Sequence, residues 1–333
     1  DAPGEWYFDH KESILYFYPP VGINVKSSKV EISQLDHLIE FRGDTNNPVE
    51  HITINGLTFT QTKQTFMKTN EPLLRSDWAI YRGGAVLMDG TENINIVNNV
   101  FHNLGGNAIF VSNYNRKVTI SGNEIFDIGA SAISFVGSAT AVRSPSFEYH
   151  EFVEIADMDM ELGPKNEIYP SQSIATDNLI HDIGQVEKQV AGVQVSMSSD
   201  ITVSHNSIYQ VPRAGINVSE GTWGGHIIEY NDVFDTVLET GDHGAFNSWG
   251  RDRFWHPERA KMDELAKSHP GLYKLDALEP VIIRNNRFQC DHGWDIDLDD
   301  GSSNYQIYNN VALSGGLKLR EGFNRTVENN VIL

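Results

Sequence analysis

Hydrophobic and polar residues alternate along short segments of this chain, and glycine, asparagine and aspartate separate the segments. Clear examples are HITINGLTF (51–59), KVTISGNEIF (117–126), DITVSHNSIY (200–209) and PVIIRNNRF (280–288). Alternation with period two is typical of β-strands, and the apolar positions are rich in valine, isoleucine and phenylalanine. The pattern therefore predicts an all-β protein built from many short strands.

A motif of asparagine, one or two residues and then an apolar pair recurs along the chain, which contains 28 asparagines. The motifs begin at or directly after Asn55, Asn98, Asn123, Asn178, Asn206, Asn231, Asn285, Asn309 and Asn329. Most spacings are close to 25 residues, and the longer ones of 43, 55 and 54 contain insertions. A period in the twenties predicts a solenoid. The β-type composition favours a right-handed parallel β-helix with asparagines stacked at one turn of each coil.

The period also divides the chain into segments. Residues 1–50 are expected to form a short N-terminal segment of antiparallel strands, and residues 51–333 the β-helix. Three insertions, 61–82, 138–172 and 250–279, are expected to wall a groove on one side of the solenoid. The third contains a predicted short helix, ERAKMDELAKSH, and is the expected lid. We also expect the chain to be part of a longer protein, with a leading segment before Asp1 and further coils after Leu333.

Composition excludes several classes of function. Lys and Arg number 25 against 45 Asp and Glu, so the formal charge is −20, which disfavours nucleic acid and anionic membranes as partners. No apolar run is long enough to span a bilayer. The single cysteine, Cys290, excludes an internal disulfide framework and a cysteine-based zinc site. We expect a monomer that uses no cofactor.

The strand after each asparagine turn begins with a small residue, and alternation assigns its residues to an inward and an outward face. The predicted outward column consists of Phe110, Ser134, Gln194, Asn217, Asn247, Asp297 and Lys318. A second column, two residues further on, consists of Ser112, Val136, Ser196, Ser219, Trp249, Asp299 and Arg320. Both columns become strongly polar in the C-terminal coils, which are therefore the expected functional end.

A row of carboxylates stands out in these coils. Asp295, Asp297 and Asp299 alternate with Ile296 and Leu298, so all three should lie on one face of one strand. Like charges so close together repel, and at least one of them should have a raised pKa. Such a row is rarely kept for stability alone, and this favours a functional role.

A second group of polar and aromatic residues supports this interpretation. The tripeptide Asp-His-Gly occurs at 242–244 and at 291–293, in what we take to be the same phase of consecutive coils. Carboxylates, histidine, arginine and tryptophan in one groove suit sugar recognition, since indole faces stack on pyranose rings. The predicted substrate-binding residues are Glu220, His243, Asn247, Trp249, Arg251, His292, Trp294, Asp295, Lys318 and Arg320.

Glycoside hydrolysis needs two carboxyl groups on either side of the bond. Asp242, Asp297 and Asp299 are the predicted catalytic set, and Lys318 and Arg320, one coil away, would keep one carboxylate ionised. Asp297 with a neighbour on its own strand fits the wider separation of inverting enzymes. Asp242 with a partner one coil away fits the narrower separation of retaining enzymes. The sequence leaves this choice open, together with the assignment of acid and base.

Four segments resemble a known group of enzymes: APGEWYFD with LYFYPP near the start, GLTFTQT (56–62), the Asp-His-Gly segment, and HGWDIDLDDGSSNY (292–305). They resemble right-handed β-helix glycoside hydrolases of bacteria that degrade plant walls and mucins, most of all glycoside hydrolase family 141. That family contains α-L-fucosidases and xylanases. The resemblance implies a secreted or periplasmic bacterial enzyme that acts on complex glycans, with catalytic roles at Asp242, Asp297 and Asp299.

Two other functions stay open at this stage. In a polysaccharide lyase, Asp295, Asp297 and Asp299 would bind Ca²⁺, and Lys318 or Arg320 would abstract a proton beside a uronate carboxylate. The strong negative charge of the chain disfavours an anionic polymer. A non-catalytic glycan-binding module would need outward tryptophan and asparagine, but it would not require three carboxylates in a row.

Overall fold

The computed structural model describes residues 2–68, 71–72, 79–144, 148–219 and 223–333. The chain forms two compact units, residues 1–34 and 35–333. The first unit contains the antiparallel strands Trp6–Asp9 and Ile14–Phe17. Their aromatic side chains, among them Trp6 and Tyr16, are exposed.

The second unit is a right-handed parallel β-helix, as the repeat predicts. Each coil contributes one strand to each of three parallel sheets, so that consecutive coils pair strand by strand. Sheet 1 consists of Thr53–Asn55, Asn95–Val97, Thr119–Ser121, Ser173–Thr176, Ile201–Ser204, Ile227–Glu229, Val281–Arg284, Tyr305–Tyr308 and Arg325–Glu328. Sheet 2 consists of Thr58–Thr60, Val100–Leu104, Glu124–Ile128, Leu179–His181, Ser207–Tyr209, Asp232–Val233, Arg287–Phe288, Val311–Ala312 and Val331–Ile332.

Sheet 3 carries the predicted outward columns. Its main strands are Ile39–Arg42, Val86–Glu92, Ile109–Arg116, Ile133–Val136, Ala191–Ser196, Ala214–Val218, Gly244–Trp249, Trp294–Asp299 and Leu317–Leu319. The short strands Val49–Glu50 and Pro170–Ser171 pair with its second and third strands. The inward side chains of these strands belong to the continuous core of the solenoid, which is lined by Ile109, Ile133, Val193, Ile216, Phe246 and Ile296 among others.

The turn between sheets 1 and 2 contains the predicted asparagine stack. Its members are Asn99, Asn123, Asn178, Asn206, Asn231, Asn286, Asn310 and Asn330. From Asn123 onward, each amide oxygen accepts from the backbone and the side chain of the preceding member, as Asn123 does from Asn99 at 3.0 and 3.1 Å. The residue before each member has positive φ, for example Asn98 at 54°. The stack therefore satisfies polar groups that the tight turn buries.

The insertions cover part of the outer face of sheet 3. In residues 61–82, the strands Glu71–Pro72 and Ala79–Ile80 pair antiparallel. Residues 250–279 contain the helix Arg259–Ser268, where the sequence predicted one. This helix packs with residues of the 138–172 insertion in a second apolar core that includes Met158, Phe254, Trp255, Met262 and Leu272.

A buried ion pair joins the same two insertions. Arg253 donates to the Asp276 carboxylate at 3.1 Å and to the backbone carbonyls of Asp159 and Glu161, both at 2.7 Å. Both side chains of the pair are almost fully buried. The two insertions are thereby fixed to each other beside the C-terminal coils. Within the described ranges, no helix is long and apolar enough to cross a membrane.

Candidate active site

The register of sheet 3 confirms the first predicted column and parts of the second. The strand pairing aligns Phe110, Ser134, Gln194, Asn217, Asn247, Asp297 and Lys318 as consecutive partners. In the second column, Ser112, Val136 and Ser196 are partners, and so are Trp249 and Asp299. At the N-terminal end, Phe110 and Val136 are covered by an apolar cluster that also contains Ile80. The polar end of the columns is where a pocket opens.

This pocket has a volume of about 300 Å³. Its lining residues are Tyr149, Arg213, Asp242, His243, Asn247, Trp249, Arg251, Asp299, Asp300 and Arg320. Sheet 3 supplies the floor, and two insertions supply part of the wall through Tyr149 and Arg251. The structure thus brings together most of the residues predicted for the site, in a space suited to a small ligand.

The three predicted catalytic carboxylates meet at one ammonium group. Lys318 Nζ lies 2.9 Å from Asp242 Oδ1, 3.3 Å from Asp297 Oδ2 and 3.5 Å from Asp299 Oδ1. Burial alone would lower the pKa of Lys318, but the three carboxylates raise it above the ordinary value. Lys318 is therefore a fixed positive charge that holds the carboxylates together.

Asp297 differs from the other two carboxylates in its surroundings. Its side chain is fully buried and is not part of the pocket lining, whereas the Asp242 side chain is 78% exposed. Burial, followed by repulsion from Asp299 and Asp242 and opposed by Lys318, raises the pKa of Asp297 to about 7. The predicted raised pKa in the carboxylate row is confirmed, although burial contributes more to it than repulsion.

Asp299 belongs to a network of ion pairs that extends along the pocket wall. Arg320 contacts Asp299 at 2.9 Å and Asp300 at 2.5 Å, and Arg251 donates to Asp300 at 2.6 and 2.9 Å. The Arg251 guanidinium lies over the rings of Tyr149 and Trp255. Neighbouring carboxylates raise the pKa of Arg320 despite its burial. Asp299 thus lies between two cations, Lys318 and Arg320.

His243 and Trp249 form the opposite part of the lining with Arg213. Arg213 donates from Nε to His243 Nε2 at 3.2 Å, and its guanidinium lies 5.4 Å from the centroid of a Trp249 ring. Burial and the Arg213 charge lower the pKa of His243 to about 4. The buried Trp249 ring carries this guanidinium, so it leaves little open ring surface for a ligand to stack on.

Asp295, the third carboxylate of the row, has a structural environment. One of its oxygens accepts from the backbone N–H of Cys290 at 2.7 Å, and the other accepts from Ser314 and Gly316 at 3.0 and 2.9 Å. Its side chain is buried and does not line the pocket. The structure therefore brings Asp297 and Asp299 to the common ammonium group, but not Asp295.

The two Asp-His-Gly segments are not in the same phase, contrary to expectation. Gly244 pairs with Trp294 rather than with Gly293, because the second copy has one more residue before its first core residue, Ile296. His292 and Trp294 consequently lie outside the pocket lining, and Trp294 is 37% exposed. The predicted binding residue Glu220 lies outside the described residues.

Comparison with known proteins supports the fold. Residues 21–152 match the family model described as right handed beta helix region. No curated protein matches the chain. A solved structure named "Glycoside hydrolase" superposes with a TM-score of 0.75 and 17% identity, over 99% of this chain and 56% of that one. The chain therefore spans little more than half of that relative's length.

Two further solved structures are similar at lower scores. A GH136 lacto-N-biosidase from Eubacterium ramulus has a TM-score of 0.41 at 12% identity, over 90% of this chain and 60% of its own. An alginate lyase from Paenibacillus has a TM-score of 0.38 at 12% identity, over 88% of this chain and 86% of its own. The superposition at a TM-score of 0.75 supports the β-helix, and at 17% identity it does not assign an activity.

Three lining residues, Tyr149, Arg213 and Asp300, were missed by the sequence reasoning. Arg213 stands directly before the strand Ala214–Val218, as His243 does before Gly244–Trp249, and this shared position was a usable signal. Asp300 follows the end of its strand, where alternation no longer applies. Tyr149 lies in an insertion without periodicity, and no sequence pattern indicates its place.

Proposed function

We propose that this pocket hydrolyses a glycosidic bond, with Asp242 and Asp299 as the two carboxylates that act on the substrate. The observation that carries the proposal is their placement on one Lys318 ammonium, at 2.9 and 3.5 Å, on the lining of a pocket of about 300 Å³. Paired carboxylates in a pocket of this kind are what glycoside hydrolysis requires. The similarity to a solved glycoside hydrolase is consistent with it.

The roles of the two carboxylates follow from their surroundings. Asp299 faces Arg320 at 2.9 Å and Lys318 at 3.5 Å, which suits a carboxylate that attacks the anomeric carbon. Asp242 lies at the exposed rim, where the bond to the leaving group would lie. This exposed position leaves room for the leaving group, so we assign the role of general acid to Asp242.

The spacing is compatible with retention of anomeric configuration. Asp242 Oδ1 and Asp299 Oδ1 lie 2.9 and 3.5 Å from the same nitrogen, so the distance between these two oxygens cannot exceed the sum of these values. That limit includes the roughly 5–5.5 Å separation of retaining enzymes, and we propose this mechanism. Asp242 would protonate the glycosidic oxygen while Asp299 forms a glycosyl ester. Water, deprotonated by Asp242, would then release the sugar and regenerate Asp299.

The finer assignment rests on the sequence resemblance. Similarity to glycoside hydrolase family 141 favours an α-L-fucosidase or a xylanase that acts on plant-wall-type glycans, secreted or periplasmic in a bacterium. A calcium-dependent lyase is less compatible with the site. The Lys318 ammonium lies between the carboxylates, and the pKa values of Lys318 and Arg320 are raised, which disfavours either as a base.

The test is a product screen on aryl glycosides and plant-wall glycans, with and without EDTA. Asp299→Asn and Asp242→Asn are compared with Asp127→Asn, which changes an exposed carboxylate within the strand Glu124–Ile128 of sheet 2 and serves as the matched control. Reducing sugar that forms despite EDTA, and falls about 10²- to 10⁴-fold in the two site variants only, supports the proposal. An unsaturated product that EDTA abolishes indicates a lyase. Glycan binding without any product indicates a binding module.

A further inference from the structure

The first outward column contains a directional chain of hydrogen bonds beneath the pocket. Asn247 donates from Nδ2 to Asn217 Oδ1 at 3.0 Å, and Asn217 donates to Gln194 Oε1 at 2.9 Å. Gln194 in turn donates from Nε2 to Ser219 Oγ at 3.1 Å. All these side chains are buried. The Asn247 and Asn217 donors in this amide ladder therefore point toward the N-terminal coils, and the Gln194 donor turns back to Ser219 on the coil of Asn217.

The ladder has a gap between Asn247 and Asp297. The two residues are direct partners on neighbouring strands, which lie about 4.8 Å apart in such a sheet. Asn247 Oδ1 and Asp297 Oδ1 are both buried, and neither has a hydrogen-bond partner within the described part of the chain. Two acceptors cannot satisfy each other, but one proton on Asp297 Oδ1, donated to Asn247 Oδ1, would satisfy both.

The charged groups around Asp297 support a proton at this position. On the coil below, Lys318 contacts Asp242 at 2.9 Å and Asp299 at 3.5 Å as well as Asp297. Arg320 lies beyond Asp299, and Arg213 and the uncharged His243 belong to the opposite part of the lining. One ammonium thus faces three carboxyl groups, and burial raises the pKa of Asp297 to about 7.

We propose that Asp297 is a positioning residue that carries a proton and donates it to Asn247 Oδ1 as the last member of the amide ladder. This inference rests on the proposed function, since its consequence concerns the two carboxylates of that site. A neutral Asp297 leaves the Lys318 charge to Asp242 and Asp299. Asn247 completes the arrangement as the acceptor.

Ionisation of Asp297 would reverse the ladder. The amides of Asn247, Asn217 and Gln194 would rotate by half a turn, so that Asn247 Nδ2 donates to the new carboxylate. The hydroxyl of Ser219 would then donate to Gln194. Lys318 would be drawn toward Asp297, and the added negative charge would leave less of the Lys318 charge to Asp242 and Asp299. We therefore expect activity to fall as the pH rises through about 7.

The decisive variant is Asp297→Asn, because its amide reproduces the protonated carboxyl in shape and in hydrogen bonding. The variant is expected to retain activity within about tenfold of the wild type at pH 6 and to lose the decrease above pH 7. Asn247→Leu removes the acceptor and should shift that decrease downward by about one pH unit. Asp127→Asn serves as the control and should keep the wild-type profile.

A readout independent of activity is the titration of the whole chain labelled with ¹³Cγ-aspartate. The resonance absent from Asp297→Asn belongs to Asp297, and its midpoint is expected near pH 7 and lower in Asn247→Leu. A midpoint below about pH 5 would overturn the inference even if the protein is a glycosidase. A loss of about 10³-fold at every pH in Asp297→Asn would also overturn it, because it would make Asp297 a catalytic carboxylate. If no glycosidase activity is found, the titration alone decides the protonation state.

Discussion

Arg213 donates from Nε to Nε2 of His243 at 3.2 Å, which fixes the tautomer of this histidine. Because Nε2 accepts, the ring proton lies on Nδ1, which is 3.0 Å from Thr240 Oγ1. The Thr240 hydroxyl can then donate to the carbonyl of Pro212 at 3.3 Å. His243 is thereby held neutral at the lining of the pocket, with both ring nitrogens in use.

This arrangement predicts a loss of stability in acid. The pKa of His243 is lowered from 6.5 to about 4, so between these values the unfolded chain binds a proton that the folded chain does not. The free energy of unfolding should therefore fall as the pH decreases from 6.5 to 4, by about 2 kcal/mol from this group. Urea unfolding at both pH values should show a shallower dependence for His243→Gln. The same slope in His243→Gln as in wild type, or a change in the exposed control His51→Gln, would contradict the prediction.

From the raised pKa of Asp297 we predict that the free energy of unfolding depends on pH with the opposite sign. Its folded-state pKa of about 7 exceeds the ordinary value of 3.8, so the folded chain binds the proton more tightly. The free energy of unfolding should decrease as the pH rises from about 4 to 7 and stay level above. The free energy of unfolding of Asp297→Asn minus that of the wild type should be larger at pH 8 than at pH 4, by roughly 2 to 4 kcal/mol. Chemical denaturation of both proteins at the two pH values measures this quantity. The same value at pH 4 and at pH 8 would count against a buried proton on Asp297.

The asparagine stack allows a comparison of two adjacent residues. Asn99 is buried, accepts from Leu57 N–H at 3.0 Å and donates to Ile54 and Asn123, both at 3.1 Å. Asn99→Ala should lower the free energy of unfolding by about 2 to 4 kcal/mol, because several buried polar groups lose their partners. Asn98 is exposed at a φ of 54°, which glycine adopts readily. Asn98→Gly should stay within about 0.5 kcal/mol of wild type in the same thermal unfolding experiment. Equal effects would show that the stack is not the stabilising element.

The Arg253–Asp276 pair predicts local unfolding of the two insertions. Arg253→Met would leave the buried Asp276 carboxylate without its partner, at a cost of about 3 to 5 kcal/mol. Limited proteolysis should then cut within 148–165 and 250–279 while the solenoid resists. Arg253→Met combined with Asp276→Leu should recover part of the loss, since no unpaired charge is left. Cleavage in the solenoid first would contradict this account.

The sequence predicted the solenoid and the column from Phe110 to Lys318 because both depend on local periodicity. Alternation places a side chain on one face, and the coil period brings partners together. Asp295 shows the limit of this reasoning, since alternation could not reveal that three backbone N–H groups bind its carboxylate. Tyr149 shows another, because its place depends on how an insertion packs rather than on any repeat. The one-residue offset of the second Asp-His-Gly segment became visible only from the pairing of Gly244 with Trp294.

The regular spacing of the outward column also bears on how such a protein can change. Inward residues such as Phe246 and Ile296 pack in the core, while the outward residues Asn247 and Asp297 follow them on the same two strands. A functional group placed at the next outward position of the column lies one coil, about 4.8 Å, away, and the neighbouring core positions keep their residues. The column therefore offers polar positions at fixed steps of one coil, separate from the core positions on the same strands.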